Sequence, residues 1–158
     1  MSFSSKASLI TFSNDSYSYL NGEIIEVKVF INDANPAIDF LEVVWNFDSS
    51  LLEFDLLTVT DSVFNNSYFD DAYAVSDELI FQLGLSPNWS SVLGTSFKLG
   101  TFSFVVLEDG VSSPELTLVE MFAQNFDGDD IDVTSVPAPS TLAIFCIAGI
   151  IFFRKRMS

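Results

Sequence analysis

Alternation of apolar and polar side chains with a period of two most constrains the fold of this 158-residue chain. Within residues 22–31, one face of the alternating pattern carries Ile25, Val27, Val29 and Ile31. Within residues 38–47, the corresponding set is Leu41, Val43, Trp45 and Phe47. Because successive side chains of a β-strand point to opposite sides, both segments are predicted to be half-buried strands.

The remainder of the body repeats this pattern in short segments separated by turn-forming residues. Further strands are predicted at residues 7–12, 51–60, 79–85, 98–107, 115–124 and 131–135. Residues 61–78 are mainly a polar loop rich in Asn and Asp, and residues 108–110 (Glu-Asp-Gly) form a tight turn. In residues 115–124, Leu116, Leu118 and Phe122 are placed on one face. No segment of the body sustains helical spacing, so eight or nine strands predict an all-β, antiparallel two-sheet sandwich.

Composition excludes several classes of function. Seventeen Phe and 49% hydrophobic residues predict a folded core, whereas 22 acidic against six basic residues exclude nucleic acid as a partner. The chain has no His, its single Cys146 lies near the C-terminus, and no nucleophile elbow or phosphate-binding glycine loop is present. We therefore predict a protein that is not an enzyme. A polysaccharide hydrolase with paired carboxylates remains a third alternative.

The last 23 residues form a segment distinct from the body. Two prolines precede an apolar run at residues 141–153, which reaches ~20 Å as a helix and is short for a hydrocarbon core of roughly 30 Å. Three of the six basic residues, Arg154, Lys155 and Arg156, follow it and are expected to stay on the cytoplasmic side of a membrane. A short C-terminal hydrophobic helix is predicted, as a buried core helix, a permanent anchor or a processed anchor, and we favour the last.

This tail resembles the PEP-CTERM sorting signal of Gram-negative bacteria. The matching residues are the motif Val136, Pro137, Ala138, Pro139 and Ser140, followed by the apolar run and the basic cluster. Ala138 stands where that family usually has Glu. The resemblance implies export, anchoring in the inner membrane during sorting, processing by the membrane enzyme exosortase, and release to the cell surface or extracellular matrix. Residues 1–10 contain no continuous apolar segment like that of a signal peptide, so the prediction of export rests on the tail.

The body resembles the cohesin-like β-sandwiches, which are related in fold to certain cellulose-binding modules. The similar segments are residues 22–31, residues 41–54 with their Phe-Asp turn and Leu-Leu-x-Phe return, and residues 98–104. The resemblance implies a sandwich of the jelly-roll type at residues 7–135, followed by the sorting tail at 136–158. It also implies a non-catalytic module that contacts a protein or a polysaccharide at the surface or in the matrix.

Two sets of side chains are candidate binding sites. The first set, Tyr68, Phe69, Tyr73 and Trp89, lies in or near polar segments, where it could stack on sugar rings in a carbohydrate-binding module or pin a long loop onto the sandwich. The second set could bind calcium, although its spacing differs from an EF-hand, and it could equally form a solvated Asp-Gly turn; its members are Asp127, Asp129, Asp130 and Asp132. No other cofactor is predicted.

Overall fold

A computed structural model describes residues 9–15 and 18–133 of the chain, and the predicted tail at 136–158 lies outside them. The described part contains eight strands and two short helices. In chain order they are β1 (Ile10–Ser13), β2 (Ile24–Ile31), β3 (Ile38–Asn46), β4 (Leu52–Val59), α1 (Asp61–Phe64), β5 (Ser67–Val75), β6 (Glu78–Leu85), α2 (Trp89–Leu93), β7 (Phe97–Val106) and β8 (Thr117–Asn125).

The strands form two four-stranded sheets. The first has the order β1-β2-β7-β4 and the second the order β5-β6-β3-β8. Every neighbouring pair is antiparallel. The predicted antiparallel two-sheet sandwich is therefore confirmed for the described residues.

The core lies between the two sheets and is rich in aromatic rings. In β2, residues Ile25, Val27, Val29 and Ile31 are buried while their neighbours are more exposed, as the alternation predicts. Phe102 of β7 is fully buried, and four other rings lie with their centroids 5.9–6.4 Å from its own; they are Phe12, Trp45, Phe54 and Phe81. Three of these contacts are edge-to-face and that of Phe12 is tilted, and aromatic pairs of this kind add stability beyond the area they bury.

Strand β5 is the largest difference from the sequence prediction, which treated most of its residues as a polar loop. Three side chains of β5 are on the side that faces the core, because they pair with the inward residues of β6. These side chains, Asp70, Ala72 and Ala74, are small or polar. An edge strand needs less apolar volume than a central strand, so its inward face carries little hydrophobic signal. The two helices were also not predicted. Residues 131–133 lie in no strand, and residues 134–135 are outside the described part.

A β-bulge changes which side of β8 faces the core. The pairing of β3 with β8 shifts between Val44 and Trp45, so that Val119 has no Cα partner in this ladder. The extra residue reverses the alternation beyond it. Phe122 is consequently paired with Glu42 on the outer side of the sheet, and its predicted place beside Leu118 on one face is wrong.

In the described part of the chain, no helix is long and apolar enough to cross a membrane. The predicted apolar helix and basic cluster of the tail lie outside this part, as do the predicted domain boundaries at residues 7 and 135.

Candidate functional site

The outer side of the second sheet carries an unusual number of exposed apolar and aromatic side chains. It consists of four rows of cross-strand neighbours, each running from β5 through β6 and β3 to β8. The rows are Val75-Glu78-Asn46-Thr117, Tyr73-Ile80-Val44-Glu120, Asp71-Gln82-Glu42-Phe122 and Phe69-Gly84-Phe40-Gln124. We call this surface the aromatic face.

Strand β5 gives the aromatic face its character because its polarity is inverted. Phe69, Tyr73 and Val75 point outward and are 41%, 40% and 53% exposed, whereas the inward positions of the strand are small or polar. Outward side chains of an edge strand do not need to be aromatic for the sandwich to fold. The aromatic residues of β5 are therefore on the outer side of the sandwich, where they are accessible to a partner.

Tyr68 lies flat across the sheet beside these residues. It occupies the register shift between Ser67 and Phe69, and its ring covers the backbone of Gly84 on the next strand. A Cβ at Gly84 would be 2.5 Å from the Cε2 atom of the ring, so only glycine leaves room for this position of the tyrosine. The phenol oxygen donates a hydrogen bond of 2.9 Å to Oδ1 of Asp39 on β3.

The environment of Tyr68 also fixes its protonation. Desolvation against the sheet, together with the hydrogen bond to Asp39 and the negative charge of that residue, raises the pKa of the Tyr68 phenol above its usual value of 10.0. The hydroxyl therefore stays protonated at neutral pH and remains a donor to Asp39. The ring is still 61% exposed, so a large part of its outer surface is free for contact.

The middle of the aromatic face is polar. The side-chain amide of Gln82 on β6 donates a hydrogen bond from Nε2 to Oε2 of Glu42, its cross-strand neighbour on β3. Half-buried Ile80, Val44 and Phe122 surround this pair. The aromatic face thus combines apolar surface with fixed polar groups, which is the composition typical of recognition surfaces.

Trp89, for which the sequence left open stacking on a sugar or packing of a loop onto the sandwich, is a buried core residue. It begins α2 after Asn88, whose backbone is in the left-handed conformation, and its side chain is fully buried. The indole Nε1–H donates a 2.8 Å hydrogen bond to the carbonyl oxygen of Ile38, and the ring packs edge-on against Phe97. Trp89 therefore holds the loop between β6 and β7 against Ile38, the first residue of β3, and is not accessible to a ligand. Of the four predicted residues, Tyr68, Phe69 and Tyr73 are brought together on one surface.

The predicted calcium ligands lie in the turn after β8, and Asn125 organises this turn. Its side-chain Oδ1 accepts hydrogen bonds from the backbone N–H groups of Asp127 and Asp129, at 2.9 and 2.8 Å. Within residues 9–15 and 18–133, no three acidic side chains are placed to share a metal ion. The geometry therefore gives no support to calcium at Asp127, Asp129, Asp130 and Asp132, and the turn alternative accounts for the first three of them.

The residues of the predicted sorting motif, Val136 to Ser140, and the basic cluster, Arg154 to Arg156, lie outside the described residues. The sequence interpretation missed most of the aromatic face because it treated residues 61–78 mainly as a loop. A usable signal was present, since Phe69, Tyr73 and Val75 fall on one side of a strand with a period of two.

The architecture is similar to that of solved cohesin modules. A non-cellulosomal cohesin from Archaeoglobus fulgidus is 19% identical, with a TM-score of 0.56 over 80% of this chain and 84% of that chain. A type II cohesin in a cohesin–X–dockerin complex from Acetivibrio cellulolyticus is 16% identical, with a TM-score of 0.58 over 79% and 91% of the two chains. A type I cohesin in a complex with a dockerin from Clostridium thermocellum is 21% identical, with a TM-score of 0.54 over 77% and 90%.

The sequence matches no protein-family model, and no curated protein matches it. The likeness to the solved structures therefore shows the fold, and it does so over most of both chains. The sandwich has a cohesin-like fold, as the resemblance of the sequence segments implied.

Proposed function

We propose that the sandwich is a non-catalytic protein-binding module and that the aromatic face is its contact surface. The observation that carries the proposal is the inverted polarity of β5, which exposes Tyr68, Phe69 and Tyr73 on one side of a sheet. Aromatic side chains are enriched at the centres of protein interfaces, where they contribute much of the binding energy.

The similar solved structures support this class of function. Some of them are cohesins determined in complex with dockerins, that is, modules whose partner is another protein. Fold alone does not carry a partner from one protein to another, so a dockerin is not assigned to this chain. The absence of His from the whole sequence and the position of the only Cys at residue 146 remove His- and Cys-based catalysis.

Affinity capture from an extract of the native host tests the proposal. The full chain serves as bait, with Phe69→Ala and Tyr73→Ala as face variants and Leu56→Ala as the matched control. Leu56 is 44% exposed and lies on the outer side of the first sheet, paired with Ser103. We expect a protein that is retained by the wild type and the control and lost from the face variants. Thermal unfolding checks that each variant is folded. A captured protein that the face variants retain would contradict the assignment of the surface.

Carbohydrate binding is a second candidate, because Tyr68 and Tyr73 lie on the same open surface beside polar side chains. Sugar rings stack on exposed aromatic residues, and Gln82 and Glu42 offer hydrogen-bonding groups between the two tyrosines. The burial of Trp89 removes one predicted member of this set. Binding on a glycan array that is lost in Tyr73→Ala, without any captured protein, would favour this function. Turnover of a bound polysaccharide that stops in an Asp→Asn variant would instead indicate the hydrolase.

Export and anchoring through residues 136–158 complete the proposal. They are supported by the order of the sorting motif, apolar run and basic cluster in the sequence. Mass spectrometry of the mature protein from fractionated host cells tests them. A C-terminus near Pro137 to Ser140 on exported protein is expected, whereas an intact Ser158 on protein in the cytoplasm would contradict sorting.

A further inference from the structure

The two sheets differ in charge as well as in aromatic content. The four strands of the second sheet contain six acidic residues and no lysine or arginine; the acids are Asp39, Glu42, Asp70, Asp71, Glu78 and Glu120. The first sheet contains both lysines of the described part, Lys28 and Lys98. Asp70 lies on the inward side of β5, but the remaining acids give the aromatic face a negative charge that no basic residue of its own sheet offsets.

These carboxylates are close enough to repel one another. Glu42 and Glu120 are diagonal neighbours on adjacent strands, since Glu42 pairs with Phe122 and Val44 pairs with Glu120. Such a pair is about 7–8 Å apart, which is within the screening length of about 8 Å at physiological salt, so its repulsion is only partly screened. A partner that brings positive charge to the face relieves it, and attraction between opposite charges also speeds the encounter.

Aromatic rings are interleaved with these acids, and the combination is most specific at Tyr68. The ring is held over Gly84 on one side, is open to solvent on the other, and has the carboxylate of Asp39 at its hydroxyl edge. This hydrogen bond uses Oδ1 of Asp39, and no described residue donates a hydrogen bond to Oδ2. A planar cation that stacks on the ring can therefore reach a carboxylate oxygen in the same position.

An arginine side chain fits this arrangement better than a lysine side chain. A guanidinium group can stack its flat face on an aromatic ring while the N–H groups at its edge donate hydrogen bonds to a carboxylate beside that ring. Because Gly84 and Asp39 already hold the ring in place, little conformational entropy is lost on binding. A neutral polysaccharide would leave the acids of the face without neutralisation.

We propose that the partner of the aromatic face is a cationic protein surface, and that one of its arginines stacks on Tyr68 and donates hydrogen bonds to Asp39. This inference rests on the proposed function, since it names the chemistry of the partner at the same surface. The other acids of the face, Glu42, Asp71, Glu78 and Glu120, orient the partner by long-range attraction.

The test is an NMR titration of the full chain with three synthetic tetrapeptides, acetyl-Xaa-Ala-Ala-Xaa-amide, in which Xaa is arginine, lysine or citrulline. Citrulline has nearly the shape of arginine without its charge. We expect the arginine peptide to shift the backbone amide signals of Tyr68, Gly84 and Asp39. The lysine peptide is expected to bind about two- to five-fold more weakly, and the citrulline peptide more weakly still.

Variants assign the contact to these side chains. Tyr68→Ala and Asp39→Asn should each weaken binding of the arginine peptide about two- to five-fold, the loss expected for an exposed cation–π or charged contact. The matched controls are Leu56→Ala and Asp55→Asn, which make similar changes on β4 of the other sheet. They should leave the affinity unchanged. Raising the salt concentration should weaken binding of the wild type.

Two results would overturn the inference. One is equal binding of the arginine and lysine peptides, and the other is a set of shifts spread over the acids of both sheets and unaffected by Tyr68→Ala. The capture experiment separates this failure from failure of the proposed function. A captured partner lost in Tyr73→Ala but unaffected by Asp39→Asn would leave the interaction face in place and refute the arginine anchor.

Discussion

Replacing Trp89 tests whether the loop between β6 and β7 is held by its indole ring. The side chain is fully buried, its Nε1–H is bonded to the carbonyl oxygen of Ile38, and its ring contacts Phe97. Trp89→Ala removes the ring contact and the hydrogen bond together. Trp89→Phe keeps an aromatic ring and removes the N–H donor, so the two variants separate packing from hydrogen bonding.

The expected losses follow from the buried area and from the carbonyl group left without its donor. A buried tryptophan removes roughly 150–250 Å² from water, which at about 25 cal/mol per Å² corresponds to about 4–6 kcal/mol. Substitution to alanine usually costs about 3–5 kcal/mol of the free energy of unfolding, because the site relaxes in part. Loss of the partner of a buried carbonyl costs about 1–3 kcal/mol, which is the expectation for Trp89→Phe.

Urea unfolding followed by far-ultraviolet circular dichroism measures these differences. Tryptophan fluorescence is unsuitable because the substitution removes one of only two tryptophans in the chain. For a domain of this size, the loss in Trp89→Ala corresponds to a fall in Tm of about 10–20 °C. Tyr73→Ala, a change on the exposed aromatic face, is the control and should lose less than about 1 kcal/mol. Equal unfolding midpoints for Trp89→Ala and Tyr73→Ala, with equal m-values, would refute the assignment of Trp89 to the core.

Three further predictions concern a strand contact, a turn and a carboxylate. Gly100→Ala should destabilise the domain by about 1–3 kcal/mol in urea unfolding, because its Cβ would lie 2.3 Å from the carbonyl oxygen of Thr58 on the neighbouring strand; a neutral effect would contradict this contact. Asn125→Ala should cost about 1–2 kcal/mol, since two backbone N–H groups lose their acceptor, and added calcium should leave the Tm of the wild type unchanged; a calcium-dependent rise would contradict the turn interpretation. Hydrogen bonds from the hydroxyl and backbone N–H of Ser50 lower the pKa of Asp48, so its contribution to stability is present above the usual carboxyl pKa of 3.8 and is lost as pH falls below it. Stability should therefore fall less steeply on acidification below about pH 4 in Asp48→Asn than in the wild type, as measured by urea unfolding at several pH values.

The central strands of the sandwich could be predicted because their alternation is set by the core. Both β2 and β3 bury one face against the opposite sheet, so their apolar residues recur with a period of two. The edge strand β5 offers no such pattern on its inward side, where Asp70 and the two alanines lie. Its aromatic residues point outward, so the rule that apolar side chains lie inside predicts a loop for this segment.

The specific contacts of Trp89 could not be predicted, for a different reason. Its neighbours in sequence are polar or turn-forming, and the burial of its ring depends on the end of β3, 51 residues earlier in the chain. The carbonyl group of Ile38 that accepts its hydrogen bond has no signature in the sequence. Tyr68 is a similar case, because its ring can cover the sheet only where Gly84, on another strand, has no side chain. Contacts of this kind depend on the register of pairing, which local patterns do not specify.

The two sides of the second sheet are under different constraints, which is why a cohesin-like fold does not specify a binding partner. The inward side must fill the space against the first sheet, and many apolar residues of suitable volume can do so, which is consistent with a similar fold at 14–21% identity. The outward rows are under no such constraint, so their residues can change without loss of the sandwich. The negative charge and the aromatic rings on this side are therefore properties of this chain rather than requirements of the fold. Under the proposed function, the residues that decide binding are therefore to be sought among Asp39, Tyr68, Phe69 and Tyr73. The stability of the sandwich depends instead on the buried residues that these strands turn inward.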